Sequence, residues 1–285
     1  MILAIESSCD DTSVAIVELD GSIVLQKTIS QIEHASFGGV VPELASRNHL
    51  LNLQIIVGTL LQEHKIPVEK LSAVCSTVGP GLFGGLMVGG MYGKGIADSL
   101  CIPFFGINHL EGHLLSPSIE HKDFDFPFIN FIISGGHCQI VMAKKLGDYK
   151  IIAETMDDSI GELFDKVGRM LGIPYPAGQI IDNLAAKGKH TYDISSKILS
   201  QHNTQMSFSG LKTKMMHLIK DVSEDRKINQ SQLENICCSM QMTIAKAVYK
   251  KLTAAIKIIK ETEDVKRLAI CGGVASNSAI RKVLH

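Results

Sequence analysis

Two histidines spaced one helical turn apart are the residues whose types and spacing most clearly suggest chemistry. His109 and His113 follow a short apolar run, residues 103–107, which predicts a strand leading into a helix. At about 3.6 residues per turn, the two imidazoles fall on one helical face and can bind one metal ion. In the zinc-peptidase motif a glutamate directly follows the first histidine, whereas Glu111 stands two residues after His109 and points to another side of the helix. The spacing predicts either a metal site or two polar residues on a solvated face.

Two polar turns open two parts of the chain in the same manner. The first turn, residues 6–13, and the second, residues 134–137, each lie between two apolar runs that predict the strands of a hairpin. Their small hydroxyl residues or glycines allow backbone N–H groups to approach phosphate oxygens, although each turn alone is more typical of a tight hairpin. The repetition predicts an α/β protein with two halves, residues 1–115 and 116–285.

Amphipathic helices are predicted after both turns. Pro42 stands near the start of one helix, while Ser159 with Glu162, and Ser231 with Glu234, have the spacing of capping boxes. The helix after Pro42 is expected to bury an apolar face made of Leu44, Leu50, Leu51, Ile55, Val57 and Leu61.

A late strand is followed by two glycines and a helix. Residues 268–271 predict the strand, Gly272-Gly273 a tight turn, and Asn277 the beginning of the helix. This order is common where an α/β protein approaches adenosine or phosphate, and it is equally a common way for the chain to leave a strand.

The second half also contains two candidate carboxylates and one stretch without clear periodicity. Asp165 lies off the apolar stripe of its helix, where Arg169 offers an ion-pair partner one turn later. Asp182 follows the turn at residues 175–178 and is expected to open the next segment, with its carboxylate near that turn. Residues 187–208 show weak periodicity, which predicts an irregular surface insertion.

The composition is that of an ordinary globular protein. The 285 residues are 45% apolar and 20% charged, and the formal net charge of −1 gives no global indication of nucleic-acid binding. The seven cysteines are an odd number without a CxxC pair, which indicates reduced thiols. No apolar run approaches the roughly 18 residues of a membrane span, so we expect no membrane association and a cytoplasmic location.

Two α/β halves, each with a turn that suits phosphate, together suggest a cleft that holds a nucleotide. Several strings also match one family, in its order, over the whole chain: Ile5-Glu-Ser-Ser-Cys-Asp10, Gly38-Gly-Val-Val-Pro-Glu-Leu-Ala-Ser-Arg47, Gly79-Pro-Gly81, His109-Leu-Glu-Gly-His113, Ser134-Gly-Gly-His137, Phe164-Asp-Lys166, Phe208-Ser-Gly-Leu-Lys-Thr213 and Gly272-Gly-Val274 with Asn277. On these strings the chain resembles the universal tRNA adenosine threonylcarbamoyltransferase family. The resemblance implies the two-lobed α/β superfold of actin, sugar kinases and chaperone ATPases, with duplicated mixed-sheet halves.

The resemblance also implies roles for individual residues. His109 and His113 would bind one divalent metal, iron or zinc, while Asp10 and Asp11 would act as bases or orienting groups. Family members usually have glutamate where Asp11 stands. The residues implied to contact the activated substrate, threonylcarbamoyl-AMP, or its ATP- or AMP-like nucleotide part are Ile132, Ile133, Ser134, Gly135, Gly136, Asp165, Gly178, Asp182 and Asn277.

The implied reaction moves a threonylcarbamoyl group onto the N6 amine of the adenosine beside the anticodon, in tRNAs that read codons beginning with A. The implied partners are tRNA and helper proteins of the same pathway, which are TsaB- and TsaE-like in bacteria. Two alternatives remain: a metallopeptidase, against which the position of Glu111 argues, and an inactive ATP-binding scaffold subunit.

The resemblance finally implies a further segment after His285. Relatives continue with a Cys-Thr-Asp-Asn string whose aspartate is the family's third protein ligand to the metal. We therefore expect the chain as given to hold its metal weakly and to fold incompletely or associate with another molecule.

Overall fold

The computed structural model describes residues 1–121, 123–194, 204–223 and 227–285, which form two compact units, Met1–Leu115 and Ser116–His285. Each unit contains one mixed β-sheet and its own hydrophobic core. The predicted α/β fold with two similarly built halves is confirmed. None of the described helices combines the length and the apolar character needed to span a lipid bilayer.

The first unit is built on a five-stranded sheet with the order β3-β2-β1-β4-β5. Its strands are β1 (Ile2–Glu6), β2 (Asp11–Val17), β3 (Ile23–Ser30), β4 (Ala73–Gly79) and β5 (Phe104–Asn108). The first three form an antiparallel meander, and β1, β4 and β5 run parallel to one another. Alternate residues of β1 and β2 are buried, so that Leu3, Ile5, Val14 and Ile16 form one apolar face of the sheet.

Three α-helices accompany this sheet: α1 (Pro42–Glu63), α2 (Phe83–Ser99) and α3 (His109–Leu115). Proline stands at the start of α1, as the sequence predicts. The predicted apolar face of α1 was partly wrong, because Leu50, Leu51 and Ile55 are 45%, 57% and 56% exposed. The helix instead buries Leu53, Ile56 and Leu60 together with Val57. Apolar residues surround much of α1, so its own periodicity does not determine which stripe faces the sheet.

The described residues of the second unit form a four-stranded sheet, β8-β7-β6-β9, which repeats the order of the first four strands of the first sheet. These are β6 (Phe128–Ile133), β7 (Cys138–Lys145), β8 (Asp148–Glu154) and β9 (Arg267–Cys271). As in the first unit, a meander is followed by a later strand that pairs in parallel with the first strand of the meander. Every residue of β6 is buried, which is typical of a central strand covered on both faces.

The α-helices of the second unit, among its described residues, are α4 (Pro117–Glu120), α5 (Ile160–Met170), α6 (Gly178–Ala185), α7 (Ser209–Val222), α8 (Gln230–Lys260) and α9 (Ser278–Leu284). The capping box of Ser159 and Glu162 at the start of α5 is confirmed. The second predicted box was wrong: Asn229 and Gln232 cap α8, two residues before the predicted pair. An asparagine oxygen accepts the N3 amide as a serine hydroxyl does, and glutamine can replace glutamate in the reciprocal bond.

The prediction that residues 187–208 form a surface insertion was wrong for its last residues, which the structure describes from residue 204 onward. Met206 and Phe208 are each only 1% exposed and belong to the core of the second unit, and Met206 forms a β-bridge with Thr155. Residues 195–203 of the predicted insertion lie outside the described residues. Weak periodicity therefore did not indicate solvent exposure, because single side chains from an irregular segment can fill a core.

Two neighbouring aspartates connect α5 with α7. Asp157 accepts hydrogen bonds from Ser207 Oγ at 2.5 Å, from Phe208 N at 2.6 Å and from Ser209 Oγ at 2.7 Å, where α7 begins. Asp158 accepts hydrogen bonds from Lys166 Nζ on α5 and from Lys212 Nζ on α7, the latter at 2.7 Å. Burial alone would raise the pKa of Asp158, but its bonds with the two lysines outweigh this effect and lower the pKa.

We expect Phe208→Ala to lower the free energy of unfolding by about 3–5 kcal/mol, because it removes a fully buried aromatic side chain. The matched control is Leu146→Ala, which alters a side chain 67% exposed on the same unit and should change stability by less than about 0.5 kcal/mol. Urea unfolding followed by circular dichroism measures both values. Equal effects of the two substitutions would contradict the assignment of Phe208 to the core.

We expect the ion pairs of Asp158 to make stability sensitive to acid. Since its folded pKa lies below the ordinary 3.8, the contribution is complete above that value and is lost as the pH falls through the folded pKa. Asp158→Asn should therefore lower the free energy of unfolding by roughly 1 kcal/mol at neutral pH. It should leave that free energy unchanged at a pH below both the folded and the ordinary pKa of Asp158.

Urea midpoints measured between about pH 7 and about pH 2 test this expectation. Asp264→Asn is the control, because its side chain is 86% exposed and its ion pair with Lys266 spans 3.8 Å. A difference between wild type and Asp158→Asn that stays constant across the whole range would contradict the assignment.

Candidate active site

The histidine pair lies on a short helix that continues directly from a strand. β5 ends at Asn108, whose Oδ1 accepts hydrogen bonds from the backbone N–H groups of Leu110 at 2.9 Å and Glu111 at 3.2 Å, so it caps the first turn of α3. The rings of His109 and His113 lie with their centroids 4.6 Å apart in an edge-to-face arrangement. The prediction that the two side chains share one helical face is confirmed.

Glu6 at the end of β1 and Ser8 in the turn that follows are partners of His109 that the sequence patterns did not select as site residues. Nδ1 of His109 lies 3.1 Å from Oε2 of Glu6 and 3.1 Å from Oγ of Ser8, while the backbone N–H of Ser8 donates to the other oxygen of Glu6 at 2.6 Å. Burial would raise the pKa of Glu6, but its bonds with His109 and Ser8 outweigh this effect and lower the pKa. An ionised carboxylate beside Nδ1 favours the tautomer with the proton on Nδ1 and the lone pair on Nε2.

This arrangement bears on whether the site suits a metal. Histidines that bind metals usually donate their second ring N–H to a carboxylate, which fixes the ring orientation and the tautomer. Glu6 and His109 have that relationship, and His113 stands beside them. Within the described ranges, no group of three or more His, Cys, Asp or Glu side chains is arranged to hold a metal ion. The described residues therefore fit a metal site for which His109 and His113 supply two ligands.

A buried histidine holds the turn that carries Glu6 and Ser8. His49 on α1 lies 2.8 Å from Thr12 Oγ1 through Nδ1 and 3.0 Å from the backbone oxygen of Cys9 through Nε2. Burial lowers the pKa of His49, which favours the neutral ring that one accepted and one donated bond require. A side chain at Gly85 of α2 would meet the backbone oxygen of Ser7 at 2.4 Å. Glycine at this position therefore lets α2 pack closely against the turn after β1.

Asp10 and Asp11 lie at the end of the same turn. Asp11 is the exposed first residue of β2, and Asp10 is partly buried, with its backbone oxygen bonded to the N–H of Gln31 at 3.2 Å. The structure thus places both aspartates in the unit that carries the histidine pair, with Asp10 at the end of the loop that contacts His109 through Ser8 and Asp11 at the start of β2.

The corresponding turn of the second unit follows β6. The backbone N–H of Ser134 donates to the oxygen of His137 at 2.8 Å, and the N–H of His137 donates to Ser134 Oγ at 3.0 Å. Gly135 and Gly136 at the tip are exposed. The side chains of Ile132 and Ile133 are buried, so these two residues can contact a ligand only through their backbone.

A cavity of about 240 Å³ adjoins this turn. Its lining includes five residues from separate segments that the family resemblance implies as substrate contacts: Gly135, Asp165, Gly178, Asp182 and Asn277. A side chain at Gly272, whose φ is +94°, would meet the backbone oxygen of Ile133 at 2.4 Å, so glycine is required where β9 turns beside the end of β6. That close approach brings the start of α9 to the cavity.

Three polar side chains of the cavity have defined roles in its wall. Oδ1 of Asp165 accepts the N–H of Ala177 at 2.8 Å, which holds the turn before α6. Oδ1 of Asn277 accepts the N–H of Ile280 at 3.1 Å and caps α9, which leaves the amide Nδ2 as the group able to donate to a ligand. The position expected for Asp182 was wrong: it lies inside α6 rather than opening a segment, and its carboxylate accepts hydrogen bonds from Ser278.

Comparison with known proteins identifies the family of the chain. The family model described as tRNA N6-adenosine threonylcarbamoyltransferase matches residues 22–285. Proteins with that name from Neorickettsia sennetsu and Rickettsia bellii are 41% and 42% identical to the chain; the alignments cover 100% and 99% of this chain and 84% and 83% of those proteins.

Solved structures support the fold alone. HypF of T. kodakarensis matches with a TM-score of 0.64 and 14% identity, over 99% of this chain and 43% of that one. Component A of (R)-2-hydroxyglutaryl-CoA dehydratase from Acidaminococcus fermentans matches with a TM-score of 0.55 and 13% identity, over 99% and 86%.

A family match over nearly the whole chain and relatives above 40% identity along its full length lead to one conclusion. This chain belongs to the tRNA N6-adenosine threonylcarbamoyltransferase family.

Proposed function

We propose that this protein transfers the threonylcarbamoyl group from threonylcarbamoyl-AMP to the N6 amine of the adenosine adjacent to the anticodon, in tRNAs that read codons beginning with A. The observation that carries the proposal is the cavity of the second unit, where five residues implied to bind the adenylate line one space. The family membership supplies the reaction, and the cavity supplies groups that suit its nucleotide.

The polar groups of the cavity suit an adenosine nucleotide. Nδ2 of Asn277 is a hydrogen-bond donor, and the carboxylate of Asp182 is an acceptor that suits a ribose hydroxyl. The backbone N–H groups of the exposed glycines Gly135 and Gly136 suit oxygens of the phosphate or of the carbamoyl group, where negative charge develops as the bond to phosphate breaks. Donors and acceptors on short, capped segments are held in place before the substrate arrives.

The reaction that these groups would serve is an acyl transfer. The N6 amine of the target adenosine attacks the carbamoyl carbon, a new C–N bond forms, the C–O bond to the phosphate breaks, and AMP leaves with the electron pair. The amine loses one proton, for which the partly buried Asp10 or the exposed Asp11 would be the acceptor or the orienting group.

The histidine pair would bind one divalent metal, iron or zinc. The metal, when bound, polarises a carbonyl or phosphate oxygen. Glu6 holds His109 in the tautomer that offers Nε2 to a ligand, and Asn108 holds the helix that carries both rings. The relatives' names do not favour a peptidase or an idle scaffold, and incubation with tRNA and threonylcarbamoyl-AMP, together with any helper protein, tests the transferase directly.

We further propose tRNA and helper proteins as partners, in the cytoplasm. A formal charge of −1 provides no general attraction to RNA, so a local patch or a helper would recruit the tRNA. The exposed apolar stripe of Phe83, Met87 and Met91 on α2 supports contact with another protein.

We expect His109→Ala and His113→Ala to lower bound metal and transferase activity together, because each removes one of few ligands. Metal content after dialysis, by atomic emission spectroscopy, and modified adenosine in tRNA are the two measurements. His64→Ala, at the exposed end of α1, is the control and should change neither. Unchanged metal in both substituted proteins would remove the histidine pair from the mechanism.

We expect Asn277→Asp to weaken nucleotide binding about tenfold, because aspartate keeps the oxygen that caps α9 but lacks the Nδ2 donor. Calorimetry with a non-hydrolysable threonylcarbamoyl-adenylate analogue measures the affinity, and the metal content should stay at the wild-type value. Asn183→Asp makes the same change at an exposed position of α6 and controls for added charge. Wild-type affinity in Asn277→Asp would refute the assignment.

A further inference from the structure

The partners of Asp182 single out a glutamine that no motif in the sequence selects. Gln241 lies near the middle of α8, is only 3% exposed, and donates from Nε2 to Oδ1 of Asp182 at 2.6 Å. Ser278 at the start of α9 donates to the same carboxylate, from Oγ to Oδ1 at 2.5 Å and from its backbone N–H to Oδ2 at 3.1 Å. Side chains from α6, α8 and α9 thus meet at one carboxylate on the cavity wall.

The orientation of the glutamine amide follows from this contact. Turning the amide over would place Oε1 instead of Nε2 against the carboxylate oxygen, and two acceptors repel at that distance. With Nε2 facing Asp182, Oε1 is buried and has no hydrogen-bond partner among the described residues. An unpaired buried oxygen costs stability, and an apolar side chain of the same length would avoid that cost. The contact that the glutamine gains in return is the one with Asp182 and its neighbour Ser278.

The hydrogen bonds of the carboxylate determine which of its oxygens can accept a ligand. A carboxylate has about four acceptor positions, two on each oxygen. Gln241 and Ser278 Oγ occupy both positions of Oδ1, and the backbone N–H of Ser278 occupies one position of Oδ2. As far as the described residues show, one position of Oδ2 therefore remains for a donor in the cavity. Without Gln241, the carboxylate would lose the bond that ties it to α8.

We propose that Gln241 is a positioning residue for the transferase, which holds the Asp182 carboxylate so that Oδ2 accepts a hydrogen bond from a ribose hydroxyl of the adenylate. This inference rests on the proposed function. The inference assigns the contact with the ribose hydroxyl to Oδ2 of Asp182. It also makes Gln241, which does not line the cavity, responsible for the direction of that carboxylate. The effect belongs to nucleotide binding, so KM for the adenylate should rise while kcat changes little.

The test uses the full chain and measures the binding of AMP. The comparison ligand is 2′,3′-dideoxy-AMP, which lacks both ribose hydroxyls. Gln241→Met keeps the length of the side chain and removes both the donor and the unpaired oxygen. We expect calorimetry to show about tenfold weaker binding of AMP and unchanged binding of dideoxy-AMP, with a thermal midpoint equal to or above that of wild type. Asp182→Asn should likewise reduce the preference for AMP over dideoxy-AMP, and Gln230→Met, exposed at the start of α8, should leave it unchanged.

Different results would overturn different parts of the argument. Unchanged AMP binding by Gln241→Met, or equal losses for AMP and dideoxy-AMP together with a lower thermal midpoint, would show that Gln241 only packs α8 and would overturn the inference. If Gln241→Met does not fold, Gln241→Leu makes the same comparison with a more compact side chain. A wild-type protein that fails to bind AMP would overturn the adenylate site of the proposed function, and this inference with it.

Discussion

Parallel pairing of the first strand of each meander with a later strand is the constraint on which both candidate sites depend. Parallel strands end at the same edge of a sheet, so segments far apart in the chain continue from neighbouring points. In the first unit, β1 and β5 flank β4, and the residues that follow them are the turn with Ser8 and the helix with His109. In the second unit β6 pairs with β9, and their ends lead into the turn at Ser134 and the start of α9.

Each site is stabilised by polar groups that are buried and paired with one another. Burying a charge or a ring nitrogen is costly unless hydrogen bonds replace those of water. Glu6 has its carboxylate between Ser8 and His109, and His49 is bonded at both ring nitrogens. The hydrogen bonds that offset the cost of burying these groups also fix their tautomers and side-chain directions. The same bonds therefore stabilise the fold and orient the groups of the site. Gln241 differs, since its Oε1 has no hydrogen-bond partner in the described part of the chain while its Nε2 is bonded to Asp182.

The carboxylates of the second unit show how similar residues take different roles. Asp157 and Asp158 hold the start of α7 and the lysines of two helices, and the hydrogen bonds they accept lower the pKa of both side chains against the opposing effect of burial. Asp182 faces the cavity instead, where its neighbours leave part of its acceptor capacity for a ligand. The lysines of two family strings, Lys166 and Lys212, meet at Asp158, so this part of the family pattern has a structural explanation.

Local patterns in the sequence determined much of the fold and part of the sites. The meanders, the capping box at Ser159 and the shared face of His109 and His113 depend on residues a few positions apart, so periodicity and spacing were sufficient to predict them. The family resemblance selected five of the residues that line the cavity, although no local pattern indicates that they meet. The carboxylate at the end of the apolar strand β1 was a local signal for Glu6 that the prediction passed over.

Only the tertiary structure decided which faces are buried and which distant polar groups become partners. The stripe of α1 that packs inward, and the burial of Met206 and Phe208, depend on surfaces contributed by other segments. Gln241 and Asp182 are 59 positions apart, and Glu6 and His109 are 103 apart, so no period or local spacing relates them. Such pairs form because sheet pairing and helix packing bring their backbones together, and the cost of leaving buried polar groups unpaired then selects which side chains bond.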